Sequence, residues 1–176
     1  GGLTCLVAPE GIEAESVLLF GFAIQLAKQL PGMQFVFRTH PVLPYEWLAK
    51  KFSSLAALPL NCRLSELADI NDDFQRSDIL LYRGSSVAIY AVLNGLRPVY
   101  YAIPGELTVD PLYLADNWKL KVENADDFIQ AIKMHTSNTE DTKEAQYRSA
   151  LSIYRDYVKV PDQELAYRTI IENTIR

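Results

Sequence analysis

The sequence predicts an α/β fold: a Rossmann-like, doubly wound and mainly parallel sheet with helices on both faces, then a C-terminal helical tail. Three observations carry this. Short, nearly continuous apolar runs recur along the chain, the pattern of strands buried on both faces. Between them lie stretches of about 10–15 residues with apolar positions at three- and four-residue spacing, the signature of βαβ units. Proline and glycine punctuate the junctions.

The elements follow in order. Residues 3–8 (Leu-Thr-Cys-Leu-Val-Ala) form the first strand, and Pro9-Glu10-Gly11-Ile12 the loop after it. Residues 13–30 place Val17, Phe20, Ile24, Ala27 and Leu30 on one helical face, with acids first, Lys28 late and Pro31-Gly32 beyond. Residues 34–38 are a second strand running into Thr39-His40-Pro41, and residues 44–55 a helix. Residues 60–64 give a weak strand, and a short helix begins at Ser65, which caps it. Residues 78–82 form an apolar strand that enters Arg83-Gly84-Ser85-Ser86, then a helix over 87–94 stopped by Gly95. Residues 97–103 and 118–122 supply the last strands, and 124–135 a helix with Asp126 and Asp127 in its first turn. Two tail helices, 140–157 and 161–175, are split at Pro161. The chain therefore reads as one domain over residues 1–176, with an α/β body over about 3–135 and a tail over about 140–176.

Composition narrows the functional classes. The chain has 176 residues, 17 Lys+Arg against 22 Asp+Glu, a net charge of −5, and 49% hydrophobic residues. An acidic chain with no basic run is not built to neutralise nucleic-acid phosphates. Its longest apolar stretch, 17–26, is too short for a bilayer span and carries Gln25, so no transmembrane segment is expected. No signal peptide is visible, and the expected location is the cytoplasm, at most peripheral to the inner face of the membrane. Cys5 and Cys62 lie in apolar runs and read as buried, reduced thiols. With two histidines, His40 and His135, and no metal-binding or nucleophile motif, no metal and no cofactor are expected. The start at Gly1-Gly2, close to a strand, reads as an excised piece of a larger two-lobed protein.

Doubly wound sheets bind ligands beyond the carboxyl ends of their strands. The unusual polar residues of this chain collect there: Glu10 and Gly11, Arg38 and His40, Arg83 to Ser86, and Glu106 with Asp110. At Arg83-Gly84-Ser85-Ser86 a strand runs through glycine and two hydroxyls into a helix, which suits a phosphate, with Arg83 adding charge. A plain capping role accounts equally for either serine. His40, held extended by Pro41, stands ready to donate to a phosphate or a ring edge. The alternative is a satisfied, partly buried side chain. His135 sits at a helix C-terminus, where a cation is favourable, and takes no role. Glu106 follows Pro104-Gly105 at a strand end, and an ordinary solvated loop acid is the favoured reading of it. Glu10 and Glu13 are candidate ligand contacts, with solvation or helix N-terminal charge the better explanation for Glu13, and Gly11 suits close approach of backbone to a ligand. Asp72-Asp73 and Asp126-Asp127 read as helix or turn acids.

The R-x-H-P string at 38–41 and R-G-S-S at 83–86, followed by Gly95-Leu-Arg-Pro98, resemble the C-terminal, nucleotide-sugar-binding lobe of GT-B bacterial surface-polysaccharide glycosyltransferases. Similar histidine-proline and serine-pair motifs occur in bacterial sialyltransferases and teichoic-acid-type polymerases. The resemblance covers roughly residues 3–135. It implies that His40 stabilises the leaving group, and that Gly84, Ser85, Ser86 and Arg83 contact the donor phosphates. Arg38, Glu106 and Gly11 are implied as further donor-binding residues.

The expected function follows from that resemblance. The chain would be a donor lobe binding a nucleotide-sugar for transfer to a surface glycan acceptor. It would be inactive alone, because the general base belongs to an N-terminal lobe. The alternatives are a non-catalytic nucleotide- or sugar-binding module acting with a partner chain, and a nucleotide-sugar epimerase of similar fold.

Overall fold

The computed structural model describes residues 2–107, 110–114, 117–155 and 158. Its sheet is built from β1 (Thr4–Val7), β2 (Gln34–Phe37), β3 (Cys62–Leu64), β4 (Ile79–Tyr82), β5 (Arg97–Tyr101) and β6 (Leu120–Val122). Every pairing is parallel, in the order β3-β2-β1-β4-β5-β6. This is the doubly wound sheet the sequence predicts.

Alternation along the strands divides the core in two. Cys5, Val7, Phe35, Phe37, Ile79, Leu81 and Val99 face one side, where α1 (Glu13–Gln29), α2 (Tyr45–Lys51) and α5 (Ala125–Ser137) cover them. There Phe20 stacks on Phe37 at 4.8 Å between ring centroids. Leu6, Val36, Leu80, Tyr82 and Tyr100 face the other side, under α3 (Ile70–Gln75), α4 (Val87–Leu93) and α6 (Glu140–Tyr154). Both faces are therefore sealed, which is why the strands read as unbroken apolar runs.

The chain leaves β1 toward one face through α1 and leaves β4 toward the other through α4. Because β1 and β4 are neighbours, their connections part and open a crevice at the carboxyl edge between them. The strand order reverses at this place.

Several local expectations shift. The helix expected over 44–55 is α2 followed by a 3-10 turn at Ser53–Leu55. The helix expected to start at Ser65 begins at Ile70, capped by the Asp69 side chain accepting from the Asn71 N–H. Ser65 instead donates its hydroxyl to the Asp73 carboxylate at 2.7 and 2.8 Å. Of the two tail helices, α6 ends at Tyr154, and 161–175 lies outside the described residues. Among the described residues no helix is long and apolar enough to cross a membrane.

His135 departs from the role of a helix-terminal cation. It is half-buried edge-on against Trp118, and burial, with Arg97 and Lys143 adding to it, pulls its pKa down to about 4. The folded protein thus prefers neutral His135, whereas the unfolded chain protonates it below about 6.5. This contribution to stability is complete above the unfolded pKa and is lost as pH falls toward the folded value. Urea denaturation of wild type and His135→Gln should show wild type losing more stability than the variant between pH 6.5 and 4. Parallel losses would contradict the buried, neutral histidine.

Candidate functional site

Two adjoining depressions occupy the crevice. One, of about 230 Å3, is walled by Ala8, Pro9, Arg38, Thr39, His40, Pro41, Ile70, Ser85 and Val87. The other, of about 460 Å3, is walled by Glu10, Gly11, His40, Ile70, Gly84, Ser85, Ser86, Val87 and Tyr90. His40 and Ser85 border both, so the loop after β2 and the loop after β4 face one cleft although 45 residues separate these two in sequence (85 − 40).

The loop after β4 is rich in free donors. Gly84 takes φ +70°, a left-handed conformation that side chains resist. Among the described residues, the N–H groups of Gly84, Ser85, Ser86 and Val87 meet no backbone carbonyl. Ser86 stands just before α4 with a helical backbone, and its side chain makes no capping bond. The capping account of this serine is therefore not what the structure shows. With only seven residues, α4 has a weak dipole, so any anion here would depend on the loop amides and hydroxyls themselves.

His40 is exposed at the opposite wall. Its Nδ1 accepts from the Val42 N–H at 3.4 Å, which puts the proton of the neutral ring on Nε2. Gly11 explains the ring's position: a Cβ there would lie 2.8 Å from Nδ1. Gly11 thus gives room to His40, a different service from backbone approach to a ligand.

The two arginines are engaged by the protein. Arg38, after β2, donates to Asp73 at 2.6 Å and to the carbonyls of Leu67 and Ala68. Asp73 is only 2% exposed, so this pair pins the loop after β3 to the strand end carrying His40. Arg83, 8% exposed, donates from Nε to Glu15 at 2.5 Å, from Nη1 to the Tyr101 carbonyl at 3.2 Å, and from Nη2 to Glu106. Burial lowers the guanidinium's pKa, and Glu15 and Glu106 more than restore it, so Arg83 keeps its charge. One oxygen of Glu106 is used here; its side chain remains half-exposed but lines neither depression.

The other acids divide. Glu13 pairs with Lys51 at 2.7 Å, away from the cleft. Asp110 is buried, accepting from the Tyr82 hydroxyl at 2.7 Å and from Lys119 at 2.6 Å, a structural network beneath the sheet edge. Among the described residues no group of three or more His, Cys, Asp or Glu is arranged to hold a metal ion.

Sequence reasoning missed Asp73, Glu15 and Tyr90. Tyr90 is 49% exposed on the cleft wall, one turn along α4 from Ser86, and offers a flat face for a ring. The i,i+4 spacing of Ser86 and Tyr90 was a signal available in the sequence. The partners of Arg38 and Arg83 left none.

Two substitutions separate these glycines. Gly84→Ala meets both the +70° backbone and the Glu10 carboxylate, and should cost about 1–3 kcal/mol in urea denaturation. Gly11→Ala meets only an exposed ring that can turn away; its stability should stay within about 0.5 kcal/mol while the His40 NMR signals shift. Equal costs would contradict this assignment.

No protein-family model matches the chain, and no curated protein matches it in sequence. Solved structures do match in fold. The spinosyn rhamnosyltransferase SpnG aligns with TM-score 0.62 and 17% identity over 87% of this chain and 41% of its own. The glycosyltransferase SnogD from Streptomyces nogalater aligns with TM-score 0.58 and 15% identity over 97% and 43%. A Listeria monocytogenes protein described as a UDP-N-acetylglucosamine 2-epimerase aligns with TM-score 0.57 and 14% identity over 82% and 39%. The chain thus spans about two fifths of the length of these proteins, and its Rossmann-like α/β fold is one that solved glycosyltransferases share.

Proposed function

We propose that this chain is the donor-binding, C-terminal lobe of a GT-B glycosyltransferase that transfers a sugar from a nucleotide-sugar to a surface glycan acceptor. One observation carries the reading. At the reversal point of a glycosyltransferase-like sheet, a loop of unpaired amides and two free serines faces an exposed histidine across one cleft. That arrangement suits the linked phosphates of an activated sugar.

The roles follow from geometry. The amides of Gly84 to Val87 and the hydroxyls of Ser85 and Ser86 seat the phosphates. His40 donates from Nε2 and stabilises charge on the departing nucleotide without a metal. Arg83 and Arg38, already held by carboxylates and carbonyls, position the two loops rather than meet the phosphates directly. Glu106 has one carboxylate oxygen left for ribose, and the face of Tyr90 suits the base or the sugar. The acceptor and the general base belong to a second lobe. An epimerase is the second reading, favoured by the fold shared with the Listeria protein; it needs the same nucleotide-sugar site.

Titration with UDP, GDP, CDP and CMP, followed by amide NMR shifts, tests this. At least one nucleotide should move the signals of residues 38–42 and 84–87. Ser86→Ala and His40→Ala should each weaken binding about tenfold, the worth of one charge-assisted hydrogen bond. Silence at both loops with every nucleotide would refute the donor site.

A further inference from the structure

Resting on that donor-site reading, we propose that Glu10 is a built-in competitor for the phosphate loop, which must take up a proton or swing clear before a phosphate can seat. The Glu10 carboxylate fills the space where a side chain at residue 84 would stand. A Cβ on Gly84 would lie 2.6 Å from its Oε1, 3.1 Å from Cδ and 3.4 Å from Oε2. An anion therefore already rests against the loop whose amides are otherwise free.

The backbone under it is fixed. Ser16, buried at the start of α1, donates its hydroxyl to the Glu10 carbonyl at 3.0 Å. The carboxylate itself takes no hydrogen bond or ion pair among the described residues, so no contact of its own anchors it. The titratable and charged groups around it come from four elements, Glu15 and Arg83 acting on it directly. Glu15 projects from α1, Arg83 from the end of β4, Glu106 from beyond β5 as the second carboxylate on Arg83, and His40 from the end of β2 over the adjacent Gly11. Arg83 is the one arginine among them, and two other acids hold it. Burial and the Glu15 charge raise the Glu10 pKa, with Arg83 opposing.

The sign is set by electrostatics. A phosphate at Gly84–Val87 repels ionised Glu10 and raises its proton affinity further, so binding takes up a proton and strengthens as pH falls. His40 faces the same loop and is identical in wild type and the Glu10 variants, so the difference between them isolates Glu10.

The test is calorimetric titration of wild type, Glu10→Gln and Glu10→Ala with UDP, GDP, CDP and CMP, in buffers of differing ionisation enthalpy, from pH about 8 to about 5.5. Both variants should bind about tenfold tighter than wild type at the upper pH, with smaller proton uptake. Unchanged or weaker binding by both variants, with the wild-type pH slope, would overturn the competitor role and leave the donor site standing. If no nucleotide binds wild type or either variant, the donor-site reading falls as well, because the variants carry no competing charge.

Discussion

The cleft depends on one buried cation. The Arg83 guanidinium joins α1 through Glu15, β5 through the Tyr101 carbonyl and the following loop through Glu106. The next residue is Gly84, whose left-handed backbone turns the chain into the loop of free amides. Removing one partner from such a pair leaves a charge desolvated and unpaired, which is costly, so the three elements hold one another in place. A second, smaller joint does the same at the other wall. There Arg38 and Asp73 fix the loop after β3 beside His40. The sheet places the loops; these two ion pairs set their shape.

This arrangement has an electrostatic consequence. A cleft offered to phosphates would be expected to carry free positive charge, yet both arginines are neutralised by carboxylates and Glu10 adds a further anion. Attraction must then come from short-range donors: amides, hydroxyls and the His40 ring. Under the donor-site proposal, such donors would recognise the tetrahedral shape of a phosphate as well as its charge, with no tight monopole to retain a departing nucleotide. Under the same proposal, Glu10, Glu15 and Glu106 around Arg83 would disfavour indiscriminate binding of anions.

Much of the fold was legible in the chain because burial on both faces of a parallel sheet writes itself as apolar runs, as at residues 79–82 and 97–101. The meeting of His40 with Ser85 was legible from a topological rule, since strand ends in such sheets share one edge. The pairings were not. Glu15 lies 68 residues from Arg83, and Asp73 lies 35 from Arg38, with no periodicity linking them. Asp73 read as a helix or turn acid, and nothing local to it announces that it is buried and accepts from Arg38 and Ser65. Gly84 and Gly11 were read as places where backbone approaches a ligand; the groups found against them are the protein's own Glu10 and His40. Sequence marks where a Cβ is forbidden without saying which atoms forbid it.

The most direct measurement is a crystal structure of this chain grown with a nucleotide that binds in solution. The account predicts phosphates within hydrogen-bond distance of the Ser85 and Ser86 amides, His40 facing them, and Glu10 turned away from Gly84. A nucleotide seated elsewhere, such as the polar groove at the opposite edge of the sheet lined by Asp78, Asn94, His135 and Lys143, would contradict it.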